Sequence, residues 1–300
     1  GENWTQVTEF MLLDFSNGQA FLFVLFLAMY LVTLLGNFAI LALVSLHPHL
    51  HNPMYFFLSH LACLDICYSS VTVPRILANT LHSQATISYH GCLLQAFFLM
   101  GCAGSECALL AVMAYDRYAA ICHPLHYART MSRRVCAAAA AGCWLWGMLD
   151  SAVHTLLASK LSFCRAVHLQ HIFCDAPPLL RAACGNKRPV EVALHVASIS
   201  VGLGPFLLVI ISYLRILVAV LRMPMAVGRH KAFSTCSAHL LVVTLYFVTA
   251  NLNYNQLGAG YSPAADTLVS VLYCIVTPML NPLIYSLRNQ EVRRALQRAL

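Results

Sequence analysis

Charged residues are scarce in this chain. Asp, Glu, Lys and Arg make up 10% of its 300 residues, whereas 60% are hydrophobic. A soluble domain of this size carries about a quarter charged residues. So little charge excludes an ordinary soluble globular protein, because the surplus of apolar side chains has to face lipid. We therefore expect a polytopic membrane protein.

Long apolar runs account for most of the chain. A membrane-spanning helix needs roughly 20 predominantly apolar residues. Seven segments satisfy this requirement: 21–46, 54–81, 91–121, 136–158, 192–221, 232–254 and 265–287. The first of them contains no charged residue. The predicted fold is an all-α membrane protein, a single seven-transmembrane helix bundle over 1–300.

The basic residues are distributed unevenly between the two sides of the predicted bundle. Of the 18 Lys and Arg, the following twelve fall on one side: Arg117, Arg129, Arg133, Arg134, Arg215, Arg222, Arg229, Lys231, Arg288, Arg293, Arg294 and Arg298. The positive-inside tendency places this side in the cytoplasm and the N-terminus outside. The net charge of +7 therefore follows from topology and does not indicate nucleic-acid binding.

Three segments outside the spans complete the predicted topology. Residues 1–20 form an extracellular N-terminus in which we expect no cleaved signal peptide, and Asn3 begins a glycosylation acceptor sequence there. Residues 160–191 form a long extracellular loop. The tail, 289–300, places its apolar side chains on one helical face, which predicts an amphipathic helix along the inner leaflet.

Ten of the thirteen cysteines fall into two groups. Six lie within predicted spans, where a thiol acts as a small apolar side chain: Cys63, Cys67, Cys102, Cys107, Cys143 and Cys274. Cys92, Cys164, Cys174 and Cys184 lie on the predicted outer side. An even set on the oxidising side favours two disulfides, for which three pairings exist. The alternative is a zinc site, but the loop cysteines lack a C-x₂-C element.

An acid and a base are adjacent where the third apolar run ends. Arg117 follows Cys92 by 25 residues, which is about 37 Å of helix and enough to cross the hydrocarbon core. Charged side chains at the edge of a span are expensive, so they usually mark a place where something switches or docks. The Asp116–Arg117 pair is thus a candidate switch at the inner end of the third helix.

Two further acids lie deep within the spans. Glu106 precedes Arg117 by 11 residues, roughly 16 Å towards the bilayer middle, and Asp65 lies in the second span. Asn37 and Asn281 could hydrogen-bond with them across the bundle. One interpretation is a structural polar network that holds helices together. The other is a hub that binds a proton or a sodium ion. The two interpretations are compatible.

Several strings resemble one family along nearly the whole chain. They are Pro53-Met-Tyr-Phe-Phe-Leu-Ser59, Met113-Ala-Tyr-Asp-Arg-Tyr-Ala-Ala-Ile-Cys122, Ser212-Tyr213, Lys231-Ala-Phe-Ser-Thr-Cys-Ser-Ala-His239 and Pro278-Met-Leu-Asn-Pro-Leu-Ile-Tyr-Ser-Leu-Arg-Asn289. The chain is similar to rhodopsin-like (class A) G protein-coupled receptors, and specifically to odorant receptors of the tetrapod type. The resemblance implies a plasma-membrane receptor that binds a volatile odorant and activates a stimulatory, olfactory-type G protein to raise cyclic AMP.

The resemblance also assigns roles to individual residues. It implies disulfides Cys92–Cys174 and Cys164–Cys184, which would hold the outer loop as a lid. It implies that Asp116 restrains Arg117 at rest and that agonist lets the sixth helix swing outward. The residues implied for this activation and for G protein coupling are Asp116, Arg117, Tyr118, Tyr213, Lys231, Asn281, Pro282 and Tyr285.

The ligand class follows largely from absent residues. An amine receptor of this architecture needs an acid on the third helix a turn or two below Cys92, but 97–104 carries no charge. A retinal pigment needs a lysine in the seventh span, and the three lysines are Lys160, Lys187 and Lys231. The remaining pocket suits a small hydrophobic volatile and consists of Met100, Ala103, Gly104, Val201, Phe247, Asn251 and Tyr254. Alternatively, several of these residues only pack helix against helix.

The sixth span departs from the family pattern. Where the family has Phe-Tyr-Gly, this chain has Tyr246-Phe247-Val248, so a hydroxyl group at the switch position is moved or lost. We expect this departure to alter the basal activity of the receptor or the polarity of its ligand.

Other function classes fit less well. A transporter or channel is the main alternative, but the chain lacks the duplicated halves common in transporters. We expect no enzyme, because no nucleophile, base and orienting group share one helical face. The tract His47-Pro-His-Leu-His51 could bind a metal, but a solvated loop beside the first span is the simpler interpretation. We therefore expect no metal site.

Overall fold

The described residues contain seven helices that are long and apolar enough to cross a membrane, as the sequence predicts. The computed structural model describes residues 8–12, 19–81, 85–163, 167–169, 171–222, 226–254 and 263–288. For 226–235, 263, 264, 266 and 286–288 it describes the backbone only. The predicted amphipathic tail, 289–300, and Asn3 lie outside the described residues.

The helices follow one another along the bundle. Their bounds are α1 Gln19–Leu46, α2 Pro53–Leu81, α3 Tyr89–Cys122, α4 Pro124–Thr130, α5 Arg133–Ala158, α6 Ala176–Ala182, α7 Arg188–Ala197, α8 Gly204–Leu221, α9 Ala226–Tyr254, α10 Pro263–Val271 and α11 Thr277–Arg288. A 3₁₀ turn, Pro48–Leu50, follows α1. A π-helical segment, Ser198–Leu203, joins α7 to α8 as the fifth span, and another, Leu272–Val276, joins α10 to α11 as the seventh.

Several boundaries lie outside the predicted apolar runs. The helix α9 begins at Ala226 and not at 232, and α7 begins at Arg188 and not at 192. Hydropathy marks the part of a helix that crosses lipid, so it does not detect turns that continue into water. Pro189 lies in the first turn of α7, where its fixed φ is already helical and its missing N–H is not needed.

A small sheet covers the outer end of the bundle and was not predicted. Its strand order is β2-β1-β3, with β1 Glu9–Met11, β2 Thr86–Ser88 and β3 Val167–His168. The strand β1 pairs antiparallel with β2 and parallel with β3. Phe10 in β1 is fully buried and packs edge-on against Phe163, with ring centroids 5.1 Å apart. The sheet therefore fastens the N-terminal segment to the long outer loop.

The third span, α3, lies at the centre of the bundle. Most of its side chains from Cys92 to Asp116 are buried, whereas α1 and α8 expose large apolar side chains such as Leu35 and Leu208, as lipid-facing helices do. The helix α5 crosses α3 at very short range. A Cβ on Gly147 would overlap the carbonyl oxygen of Gly101, so this crossing requires glycine. Small residues at membrane helix contacts allow such close approach.

Candidate functional site

The inner end of α3 holds the candidate switch as an ion pair. Arg117 Nε donates to Asp116 Oδ2 over 3.1 Å, and Arg117 Nη2 also contacts that oxygen. Tyr127 in α4 donates its hydroxyl to the other carboxylate oxygen over 2.7 Å. The Asp116 side chain is 1% exposed and that of Arg117 12%. Both charges are thus compensated, and the short helix α4 contributes to holding Asp116.

The fifth and sixth spans meet beside this pair. The hydroxyl of Tyr213 lies 2.5 Å from His239 Nδ1, and the two rings are stacked with centroids 5.7 Å apart. Tyr285 is fully buried. Tyr118 instead turns towards the inner surface, where its hydroxyl lies 2.9 Å from His123 Nε2. Lys231 lies in α9, but its side chain is outside the described residues.

The predicted polar hub forms in part. Asn281 Nδ2 donates to both carboxylate oxygens of Asp65, over 3.0 and 3.2 Å. Asn37 does not join the acids as expected, because its Nδ2 donates to the carbonyls of Thr33 and Pro278. Glu106 is 3% exposed, and its Oε1 has no hydrogen-bond partner within the described part of the chain.

Pro282 follows Asn281 inside α11 and packs tightly on the first span. A Cβ on Gly36 would lie 2.9 Å from Pro282 Cγ. Glycine at 36 thus lets α1 approach the proline ring, and Asn37 beside it reaches the carbonyl of Pro278. The first and seventh spans are tied together at the level of the hub.

All seven predicted pocket residues line one cavity of about 620 Å³. Met100, Ala103 and Gly104 come from α3, Val201 from the π-helical segment of the fifth span, and the other three from α9: Phe247, Asn251 and Tyr254. Most of the wall is apolar, as in typical small-molecule sites.

Gly104 both lines the cavity and packs helix against helix, the two roles that the sequence left open. It lines the cavity, and a Cβ added there would lie 3.1 Å from the Cα of Gly147 and 3.3 Å from Val201 Cγ1. A larger residue at 104 would therefore press on the helix crossing and on the cavity wall together.

Tyr246 supplies a hydroxyl group close to the cavity. It is 1% exposed, and its hydroxyl donates to the Ala103 carbonyl over 2.7 Å. The same oxygen lies 3.0 Å from the hydroxyl of Tyr273 in the seventh span. The moved hydroxyl therefore joins the third, sixth and seventh spans, while Phe247 packs on Phe206 with ring centroids 5.0 Å apart.

The comparisons with known proteins decide the family. A family model described as olfactory receptor matches residues 26–300. The chain belongs to the olfactory receptor family. It is 48% identical over 301 residues to olfactory receptor 10C1 of Homo sapiens, covering 99% of this chain and 96% of that one. It is 45% identical over 302 residues to olfactory receptor 5AP2 of Mus musculus, covering 100% of this chain and 95% of that one.

The fold of this olfactory receptor also resembles a solved structure. Squid rhodopsin matches with a TM-score of 0.76 and 17% sequence identity, over 92% of this chain and 79% of that one. At this identity the likeness concerns the seven-helix fold alone. Family and fold together make the chain an odorant-sensing G protein-coupled receptor, a multi-pass membrane protein and not an enzyme.

The outer loop of the receptor is anchored by a disulfide. Cys92 and Cys174 are bonded, with Cα atoms 5.3 Å apart, which confirms the first pairing. Cys184 is also disulfide-bonded, but Cys164 lies outside the described residues, so the second pairing stays a prediction. Gln95 in α3 accepts a hydrogen bond from the Cys174 N–H over 2.8 Å and thereby holds the loop above the bundle.

A polar chain connects this loop to the sixth and seventh spans. Asp175 accepts the N–H of Ala176 at the start of α6, and Asn253 Nδ2 donates to its Oδ2 over 3.2 Å. Ser270 donates to Asn253 Oδ1 over 2.8 Å and also lies 2.9 Å from His171 Nε2. The loop residues Asp175 and His171 are thus coupled to two spans that bound the cavity.

Two buried titratable groups of the outer loop, Asp175 and His171, have opposite pH dependences. Burial raises the pKa of Asp175 to about 6 and lowers the pKa of His171 to about 4. Asp175 therefore lowers the stability of the folded receptor as pH rises from about 4 to 6, and His171 lowers it as pH falls from about 6.5 to 4. The two effects oppose each other over the same window.

Single substitutions should expose each effect. Relative to the unmodified receptor, Asp175→Asn should gain thermal stability as pH rises from about 4 to 6. His171→Gln should gain relative stability as pH falls from about 6.5 to 4. A shift of roughly two pKa units corresponds to about 3 kcal/mol at most. The melting temperatures of the detergent-purified receptor and its variants, measured across this pH range, test both predictions. A difference in melting temperature between variant and unmodified receptor that does not change with pH would contradict them.

Several residues of the site were not predicted. His239 lies in the quoted string Lys231–His239, and its position 26 residues after Tyr213 gives no sign of contact before the helices are packed. Asp150 and His154 line the cavity from α5. Their spacing of four residues within an apolar span is a detectable signal, because polar side chains there normally face a partner or a cavity.

Proposed function

We propose that this receptor binds a small, mostly hydrophobic volatile in the 620 Å³ cavity and activates a stimulatory, olfactory-type G protein that raises cyclic AMP. The observation that carries this proposal is the convergence of all seven predicted pocket residues on one largely apolar cavity. The size suits a molecule of about ten non-hydrogen atoms with room to spare.

The proposed signal passes through the sixth span. An odorant against Phe247 would press on the neighbouring Tyr246, whose hydroxyl joins α9 to the Ala103 carbonyl. Loss of that bond would free the sixth span from the third. At the inner end, Tyr213 would leave His239, and Arg117 would leave Asp116 and open a surface for the G protein.

We also propose that the hub holds a proton or a sodium ion between Asp65 and Glu106. The two buried carboxyl groups repel each other electrostatically, so a shared cation lowers the energy of the pair. Glu106 Oε1 and Asn281 Oδ1 are without hydrogen-bond partners among the described residues and are suitable oxygen ligands. Sodium titration of the agonist response, compared between the receptor and Glu106→Gln, tests which cation binds.

The proposed orientation has the N-terminus outside and the C-terminus in the cytoplasm. The disulfide of Cys92 favours this orientation, because disulfides persist on the oxidising side of the plasma membrane. The excess of basic residues at the opposite end of the bundle also favours it. Antibody labelling of terminal tags on intact and permeabilised cells measures the orientation directly.

A volatile library tests the proposed function. Cells expressing the receptor and the olfactory-type G protein should raise cyclic AMP with at least one hydrophobic volatile, and mock-transfected cells should not. Cells that lack the G protein should give no response. Ligand-driven substrate flux that persists without the G protein would instead support a transporter and would overturn the proposal.

A further inference from the structure

The cavity wall contributed by α5 differs chemically from the rest. Asp150 and His154 lie one helical turn apart, and both line the cavity. The other side chains that line the cavity are uncharged, and most of them are apolar, including Phe206 and Phe247. Polar side chains within a membrane span are costly and normally face a partner or a cavity. The fourth span therefore brings a second type of chemistry to the pocket.

The surroundings of His154 fix its proton. Its Nδ1 lies 2.8 Å from the Asp150 carbonyl oxygen and 3.5 Å from Asp150 Oδ2. Both neighbours are hydrogen-bond acceptors, so Nδ1 carries the proton and donates. In the neutral ring, Nε2 is then an acceptor with a free lone pair.

That acceptor is unused. His154 is 4% exposed, and its Nε2 is buried without a hydrogen-bond partner in the described part of the chain. Buried polar atoms in folded proteins nearly always have a partner. A ligand that donates a hydrogen bond would supply the missing one.

We infer that the odorant is an alcohol or a phenol whose hydroxyl donates to His154 Nε2. This inference rests on the proposed function and specifies the ligand of the same cavity. The hydrocarbon part of the ligand contacts the apolar wall around Phe247, and Asp150 keeps the imidazole in the accepting tautomer. A carboxylate ligand is repelled by Asp150, and an ether or hydrocarbon of equal size leaves Nε2 without a donor.

Isomeric ligands test the inference directly. 1-Octanol and heptyl methyl ether contain the same atoms, and 4-ethylphenol and 4-ethylanisole form an aromatic pair that differs by one methyl group. In the unmodified receptor, the cyclic AMP EC50 of each hydroxyl compound should be at least about tenfold lower than that of its ether. In His154→Phe this ratio should fall to about one. Octanoic acid and octylamine are included as the alternative head groups.

A matched control and a second variant complete the design. His195 bonds the carbonyl four residues before it in the same way, at 2.6 Å from Glu191 O, but is exposed and not part of the cavity wall. His195→Phe should keep the EC50 ratio. Asp150→Asn should reduce the ratio without abolishing it, because the Asp150 carbonyl still accepts from Nδ1. Surface labelling of every variant shows which ones reach the membrane. If His154→Phe does not reach it, Asp150→Asn provides the test of the inference.

The outcomes separate this inference from the proposed function. Equal EC50 values for alcohols and ethers, or an unchanged ratio in His154→Phe, would overturn the inference while leaving an odorant receptor. A lower EC50 for octylamine or octanoic acid than for 1-octanol would also overturn it. Failure of every volatile in the library, with a control receptor responding, would instead contradict the proposed function.

Discussion

Replacing Arg117 with alanine is expected to abolish the agonist-dependent rise in cyclic AMP. Arg117 is held by Asp116 at the inner end of α3, and alanine leaves no guanidinium for the proposed contact with the G protein. The pocket should be unaffected, because Met100 lies 17 residues away along the same helix, or about 25 Å. The measurement is a cyclic AMP dose–response curve at matched surface expression.

Two further variants separate loss of folding from loss of signalling and test whether Asp116 restrains Arg117. Among the described residues, alanine leaves the buried Asp116 carboxylate with the Tyr127 hydroxyl alone, and an unpaired buried charge can destabilise a protein by about 3 to 5 kcal/mol. Arg117→Gln retains a donor for Asp116 and should still be silent. Asp116→Asn keeps the guanidinium but weakens its restraint, so basal cyclic AMP should increase. A full agonist response from surface-expressed Arg117→Ala would refute the switch.

Hydropathy predicted the spanning helices but not what covers them. Seven apolar runs of membrane length leave few alternatives to a helical bundle. The strand β1, in contrast, is three residues long. Its partners lie 77 and 157 positions further along the chain, as the registers Phe10↔Ile87 and Phe10↔Val167 show. Such short strands carry no periodic signal, so only the assembled outer surface reveals them.

In the site, too, some features could be predicted from the sequence and others depend on how the helices pack. Asp65 and Asn281 were expected to meet because both are polar residues in apolar spans, and they do. Asn37 carried the same signal but bonds the backbone of Pro278, because the tight contact of Gly36 with Pro282 decides what lies within reach. Sequence identified which side chains needed partners, and helix packing decided which partners they found.

The displaced hydroxyl of Tyr246 illustrates why the pocket was harder to predict than the switch. The order Tyr246-Phe247 turns the phenol towards Ala103 and Tyr273 and leaves an apolar ring at the cavity. The polar groups of the cavity wall then include Asp150 and His154 from the fourth span. The cavity thus takes its polar groups from more than one helix, and no single segment of the sequence contains that arrangement.

Gly147→Val is expected to prevent the receptor from reaching the cell surface. A Cβ at this position would overlap backbone atoms of both Gly101 and Ser105, and backbone in the middle of α3 cannot move aside as a side chain can. Overpacking of a core usually costs about 1 to 3 kcal/mol, and a backbone overlap between two helices should exceed that range. Total stability is only about 5 to 15 kcal/mol, so most of the folded population should be lost.

The same helix provides the matched control. Gly142 lies on α5 five residues before Gly147, is exposed to lipid, and has no atom within 4 Å of an added Cβ. Gly142→Val should therefore retain surface expression and the melting temperature, with a change of no more than about 1 kcal/mol from helix propensity. Equal surface labelling of the two variants would show that α3 and α5 do not cross as closely as the Gly101–Gly147 contact requires. A large loss in Gly147→Val alone places the crossing at that contact, because the two substitutions add the same side chain to the same helix.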